Sequence, residues 1–130
     1  MSKTRKMNNT EARIALERAF DRTGRPCDAK TVIQQIGHWN TLALCGGAWM
    51  PISAEDEDGT YHVGALLFTG RGKAVEVVLD WDDTYSVRLV RLIKKGHDLG
   101  TVVVATEASG VYFDSLADVC FSVADGKVPA

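Results

Sequence analysis

The sequence predicts an α+β fold with two N-terminal helices, a mainly antiparallel five-stranded sheet and one C-terminal helix packed on the sheet. Two observations predict it. Five extended segments follow one another through the middle of the chain, separated by short turns rich in glycine and charged residues. Helical apolar periodicity is confined to the two ends of the chain. Because short turns join antiparallel strands, this order favours α+β over a parallel α/β sheet.

Two amphipathic segments predict the N-terminal helices. The first covers residues 11–21, follows the candidate caps Asn9 and Thr10, and ends before a Gly-Arg-Pro sequence. The second covers residues 29–36, with Asp28 as its cap and Gly37 after its last turn. The apolar stripe of the first helix consists of Ala12, Leu16, Ala19 and Phe20.

Alternating or β-branched segments predict the five strands. Residues 41–45 begin the first, and residues 49–52 continue it as an edge segment because Pro51 cannot donate a ladder hydrogen bond. The other strands are expected over residues 62–68, 74–79, 84–94 and 101–108. In the third, Val75 and Val77 share one face and Glu76 the other; in the fourth, Arg88 shares a face with Val90.

A final helix is predicted over residues 111–123. The whole chain of 130 residues fits one domain over residues 10–124, with a flexible basic arm over 1–9 and a tail over 125–130. The core stripe expected for the final helix consists of Tyr112, Leu116, Val119 and Val123, widened by Phe113, Ala117 and Cys120.

Charge and cysteine content narrow the function classes. The net charge of −2 gives no general attraction to nucleic acid, but residues 1–30 carry eight basic and four acidic side chains. Cys27, Cys45 and Cys120 are odd in number and include no C-x-x-C pair, which predicts reduced thiols in a cytoplasmic protein and no zinc site. No apolar stretch reaches the ~20 residues of a membrane span, and no signal peptide is expected.

The segment Val-Leu-Asp-Trp-Asp-Asp-Thr over residues 78–84 resembles the first motif of haloacid-dehalogenase-like phosphatases. The resemblance implies Asp80 as a nucleophile and Asp82 as an acid/base, with Mg²⁺ between them. That family follows the motif with a helix, whereas here an extended segment follows at once. The context therefore favours a β-hairpin turn, and a Mg²⁺-dependent phosphatase stays a remote alternative.

Two charged turns are the candidate protein contacts. The first is the acidic loop at residues 55–59, for which a solvated turn is the competing interpretation. The second is the hairpin turn that carries Trp81. Trp81 either anchors a partner, since Trp is frequent at interface hot spots, or packs down on the neighbouring strand. No catalytic constellation and no cofactor or metal motif is recognised. The contact candidates are Glu55, Asp56, Glu57, Asp58, Trp81, Asp82 and Asp83.

The alternative function is nucleic-acid binding through the basic N-terminal helix. Lysine and arginine side chains would contact phosphate there, and that binding weakens steeply with salt. A solvated helix face is the competing interpretation of the same charges. The candidate contacts are Arg13, Arg18, Arg22, Arg71, Lys73 and Arg88, with Lys3, Arg5 and Lys6 in the arm.

Four short blocks between residues 29 and 123 resemble a group of small uncharacterised proteins of phages and mobile elements. They are TVIQQIG at 31–37, LALCGG at 42–47, DTYSVR at 83–88 and GVYFDSL at 110–116. The resemblance implies a phage-like origin and carries no activity with it. The leading hypothesis is a non-enzymatic accessory protein in the cytoplasm of a bacterial host. It would bind a host or phage macromolecule, for instance to inhibit a host defence complex, and open sheet edges make it a candidate homodimer.

Overall fold

The computed structural model describes residues 24–70, 72–93 and 101–127. In this part of the chain two helices precede a five-stranded sheet and a third follows it, which confirms the predicted α+β class. The helices are α1 (Ala29–Ile36), α2 (His38–Cys45) and α3 (Leu116–Ala124), the last preceded by a 3₁₀ turn over Phe113–Ser115. The strands are β1 (Trp49–Asp56), β2 (Gly59–Gly70), β3 (Lys73–Leu79), β4 (Tyr85–Ile93) and β5 (Thr101–Val111).

The sheet is an antiparallel meander in the order β1-β2-β3-β4-β5. Its central register places Leu66 opposite Glu76, Glu76 opposite Arg88, and Arg88 opposite Glu107. Because consecutive strands alternate in direction, the β1–β2 turn and the β3–β4 turn lie at the same end of the sheet. The carboxyl end of β5 lies there too.

Helix α1 has the boundaries that the sequence predicts. The Asp28 carboxylate accepts a hydrogen bond of 3.0 Å from the Lys30 N–H, which satisfies one of the free donors of the first turn. Gly37 ends the helix with φ 103°, and its N–H donates to the Ile33 carbonyl at 2.9 Å. Val32 and Ile36 are buried between α1 and the sheet.

The prediction of a strand over residues 41–45 is wrong, because these residues form the second half of α2. The Cys45 thiol donates to the Thr41 carbonyl at 3.2 Å, and Gly46 closes the helix in the left-handed conformation with φ 62°. The first strand is instead the edge strand β1, in which Pro51 is accommodated as expected. The helix predicted over 11–21 lies outside the described residues.

Two further boundaries differ from the predictions. Strand β5 runs to Val111 and α3 begins only at Leu116, so Tyr112 and Phe113 precede the helix and are exposed rather than part of its core stripe. The acidic loop is also shorter than expected. Glu55 and Asp56 belong to β1, which leaves a two-residue turn at 57–58.

The sheet has two buried faces. On the helix face, all three helices pack against one core of strand residues; its strand members include Leu67, Val75, Val77, Val87 and Leu89. The opposite surface, called the second face below, has its own apolar cluster. That cluster consists of Ile52, Ala54, Val63, Leu66, Ala74, Val78 and Val90. No helix of the described residues has the length and apolar character that crossing a membrane requires.

Candidate functional site

The β3–β4 turn is a closed hairpin, as its sequence context predicts. Leu79 and Tyr85 form the last paired residues of the two antiparallel strands. Beyond them the Asp80 N–H donates to the Thr84 carbonyl at 2.8 Å, and the Asp83 N–H donates to the Asp80 carbonyl at 3.1 Å. Asp83 has φ 68°, a conformation that aspartate tolerates in turns better than most residues.

The carboxylates of this turn hold it together. Asp82 accepts from the Thr84 hydroxyl at 2.7 Å and from the Thr84 N–H at 3.1 Å. These hydrogen bonds lower the pKa of the Asp82 carboxyl because they favour its charged form, and the bond from the Thr84 hydroxyl has the larger effect. Asp80 accepts from the Ser86 hydroxyl, and Asp83 forms an ion pair with Arg25. The three aspartates of the motif therefore stabilise the hairpin turn through these contacts.

Trp81 projects from this fixed turn into solvent. Its side chain is 65% exposed, so it does not pack down on the neighbouring strand. Most of this large apolar ring is therefore in contact with water. Burial of the ring against another surface would be favourable. The indole therefore projects into solvent from a turn that is closed by its own hydrogen bonds.

Two more aromatic side chains extend from the same end of the sheet. Tyr85 pairs with Leu79 on one side and with Val111 on the other, so the residues after Val111 emerge beside the β3–β4 turn. These residues are Tyr112 and Phe113, each 66% exposed. Their exposure was missed because the apolar spacing of residues 111–123 fits one helix. The signal that could have found it is Asp114-Ser115, residue types that favour helix starts over helix interiors.

The meander also brings the two predicted protein-contact turns to one end. Glu57 and Asp58 are exposed at the β1–β2 turn, and Asp82 and Asp83 are exposed at the β3–β4 turn. The side chains of Glu55 and Asp56 lie outside the described part of the structure. We call the combined surface the acidic-aromatic end; it consists of Glu57, Asp58, Trp81, Asp82, Asp83, Tyr112 and Phe113.

Beneath this surface Tyr85 ties the sheet to α1. Its hydroxyl donates to the Gln35 side-chain carbonyl, and its ring is almost fully buried. Burial raises the pKa of Tyr85 to about 12, with a smaller contribution from the neighbouring Cys27. The aromatic side chains at the surface therefore stand on a packed and hydrogen-bonded base.

The predicted nucleic-acid contacts are not brought together among the described residues. Lys73 begins β3 at the opposite end of the sheet, whereas Arg88 lies at the centre of the second face. The Arg88 side chain is only 16% exposed; its Nε lies 2.7 Å from Glu107 Oε2 and its Nη1 3.9 Å from Glu76 Oε1. Arg88 is thus engaged by carboxylates. Arg13, Arg18, Arg22 and Arg71 lie outside the described residues.

The cysteines are free thiols, and two of them are buried. Burial raises the pKa of Cys120 to about 12, and it is also the main cause of the raised pKa of the half-buried Cys27. Both thiols are therefore protonated at neutral pH, which makes them poor nucleophiles. Within residues 24–70, 72–93 and 101–127, no group of three or more His, Cys, Asp or Glu side chains is placed to hold a metal ion.

Comparison with protein-family models, with curated proteins and with solved structures finds no match for this chain.

Proposed function

We propose that this chain is a non-enzymatic binding protein that contacts a protein partner through the acidic-aromatic end. The observation that carries the proposal is the 65% exposed Trp81 on a turn whose backbone and carboxylates are already hydrogen-bonded. An aromatic side chain on a rigid base binds at a low ordering cost, since the turn loses little conformational freedom on association. Tyr112 and Phe113 enlarge the apolar contact area at the same end.

The chemistry of this end favours a partner surface with arginine or lysine side chains beside an apolar pocket. Glu57, Asp58 and Asp82 are exposed at the same end of the sheet as the aromatic side chains, and Asp83 there is paired with Arg25. Carboxylates of this kind steer a basic partner and accelerate its association. A guanidinium group can in addition stack on an exposed indole or phenol ring.

The resemblance to small phage and mobile-element proteins supports a partner from the bacterial host. A component of a host defence complex is the proposed target class, and the host cytoplasm is the proposed place of action. Both steps rest on the four resembling sequence blocks and are tested by the same capture experiment.

The test is affinity capture from host lysate with the tagged chain, before and after nuclease treatment. Three baits are compared: the unaltered chain, Trp81→Ala, and Trp39→Ala as the matched control. Trp39 lies on α2 and is 79% exposed, so its replacement removes an exposed indole from another element. We expect a stoichiometric protein that survives nuclease and is retained by Trp39→Ala but lost by Trp81→Ala.

Two results would reject this function. One is a partner that Trp81→Ala retains as well as the unaltered chain, because the acidic-aromatic end would then not be the contact. The other is recovery of only nucleic-acid-associated proteins that disappear with nuclease. That result would favour the basic N-terminal segment and binding that weakens with salt.

A further inference from the structure

A cavity lies at the end of the sheet opposite the acidic-aromatic end. There the last turns of α2 and α3 meet the β2–β3 turn around a volume of about 290 Å³. Helix α2 packs against α3 and against β2, which holds the two helix ends beside the turn. Ligand pockets in proteins have volumes from about 300 Å³ upward. The volume of this cavity lies at the lower end of that range and suits a ligand of the size of a single amino acid.

One wall of the cavity is apolar. It includes Leu44 from α2 and both Phe121 and Ala124 from α3. Leu44 belongs to the buried core of the helix face, and Phe121 and Ala124 pack against that core as partly buried side chains. The wall is therefore continuous with the hydrophobic core and is held in place by it. An aliphatic or aromatic group placed on this wall would lose contact with water, which favours its binding.

Two side chains of opposite charge also line the cavity. Lys73 lies on the helix face of β3, because it alternates along the strand with Val75 and Val77. Asp125 directly follows the last residue of α3. In the part of the chain that the structure describes, Lys73 and Asp125 form no ion pair with each other or with a third residue. Both charges are therefore available to a bound molecule.

This combination of groups selects the class of ligand. A molecule with a single charge would pair with one of the two side chains and leave the other without a partner. A zwitterion pairs with both, and hydrogen bonds between charged groups are stronger than those between neutral ones. The end of α3, where Asp125 lies, carries a partial negative charge that also favours an ammonium group. Thr69 adds a hydroxyl that can donate or accept a hydrogen bond.

We propose that this cavity binds a small zwitterion of the class of α-amino acids with an apolar side chain. Lys73 pairs with the carboxylate of the ligand, and Asp125 pairs with its ammonium group. The apolar side chain of the ligand lies on Leu44 and Phe121. The site is remote from Trp81, so this inference is independent of the protein partner proposed for the acidic-aromatic end.

Titration of the methyl-labelled full chain with L-phenylalanine, followed by NMR, tests the proposal. We expect saturable shifts of the Leu44 and Ala124 methyl signals, with a dissociation constant on the order of 1 mM, as for a small ligand in an open site. Phenethylamine lacks the carboxylate and 3-phenylpropanoate lacks the ammonium group. Each should bind about fivefold more weakly, which is the contribution of one exposed ion pair. The proposal is overturned if these methyl signals show no saturable shift, or if either singly charged probe binds as tightly as L-phenylalanine.

Two variants assign the contacts of the ligand. Lys73→Gln should weaken the binding of L-phenylalanine about fivefold without weakening that of phenethylamine, which has no carboxylate. Asp125→Asn should weaken L-phenylalanine by a similar factor without weakening 3-phenylpropanoate. Lys30→Gln is the matched control, because Lys30 is an exposed lysine on α1 outside the cavity. It should bind all three probes as the unaltered chain does. Unchanged binding of L-phenylalanine by either folded cavity variant would overturn the proposed pairing.

Discussion

At the scale of single residues, side chains that look catalytic in the sequence have structural partners. Asp82 accepts two hydrogen bonds from Thr84, and Asp80 accepts one from Ser86. These contacts explain why an Asp-x-Asp-x-Thr sequence occurs at a hairpin turn, where short acidic side chains satisfy backbone donors. The aromatic residue between the two aspartates remains exposed and available for contact.

The hydrogen bond between Thr84 and Asp82 makes a prediction about pH. The pKa of Asp82 is lowered in the folded chain, so this group stabilises the fold above its ordinary pKa of 3.8 and loses that contribution as the pH falls through its folded pKa. Thr84→Val removes the hydroxyl donor, and the pKa of Asp82 should rise toward its ordinary value. Carboxyl carbon NMR titration measures it. Ser86→Ala, which alters the bond to Asp80, should leave the Asp82 titration unchanged; an unchanged Asp82 titration in Thr84→Val would contradict the assignment.

The buried Cys120 thiol predicts loss of stability in alkali. Its pKa is about 12 in the fold and 9.0 when exposed, so above pH 9 the unfolded chain releases a proton that the folded chain keeps. Unfolding is therefore favoured as the pH rises, by up to about 1.4 kcal/mol per pH unit for this one proton. Urea unfolding between pH 9 and 10 should show a flatter decline for Cys120→Ala. Equal declines in both proteins would show that Cys120 ionises without unfolding.

At the scale of elements, the sequence predicts an element correctly where its local signals agree with one another. For α1, apolar spacing, the Asp28 cap and Gly37 all agree, and the boundaries are correct. Residues 41–45 are a short apolar run whose spacing fits a helix or a strand equally, and packing against β2 and α3 decides for the helix. The helix predicted to begin at residue 111 is wrong for a different reason. Its apolar spacing fits a helix clearly, yet residues 111–115 form the end of β5 and a 3₁₀ turn.

A close approach in β2 predicts a large effect of a single methyl group. A Cβ at Gly64 would overlap the Val77 backbone carbonyl of β3, which side-chain rotation cannot relieve. We expect Gly64→Ala to lower the free energy of unfolding by roughly 3 kcal/mol, as for severe overpacking. The control is Gly110→Ala, where φ is 66° but no atom lies nearby, with an expected loss of about 1 kcal/mol. Urea unfolding compares them, and equal losses would contradict the close approach.

At the scale of the whole molecule, the meander decides which residues can act together. It places the two acidic turns and the aromatic residues after β5 at one end, and Lys73 at the other. The sequence predicted the β3–β4 hairpin and a mainly antiparallel sheet but not the strand order, so the acidic turns were two separate candidates rather than one surface. Edge strands β1 and β5 leave homodimerisation as a prediction.

The central claim is tested most directly by titration calorimetry with the captured partner. The dissociation constant of Trp81→Ala is compared with those of the unaltered chain and of Trp39→Ala. A hot-spot indole contributes 2 kcal/mol or more, so the dissociation constant should rise about 30-fold or more in Trp81→Ala and change little in Trp39→Ala. Equal affinities for Trp81→Ala and the unaltered chain, with both folded, would contradict a contact through the acidic-aromatic end.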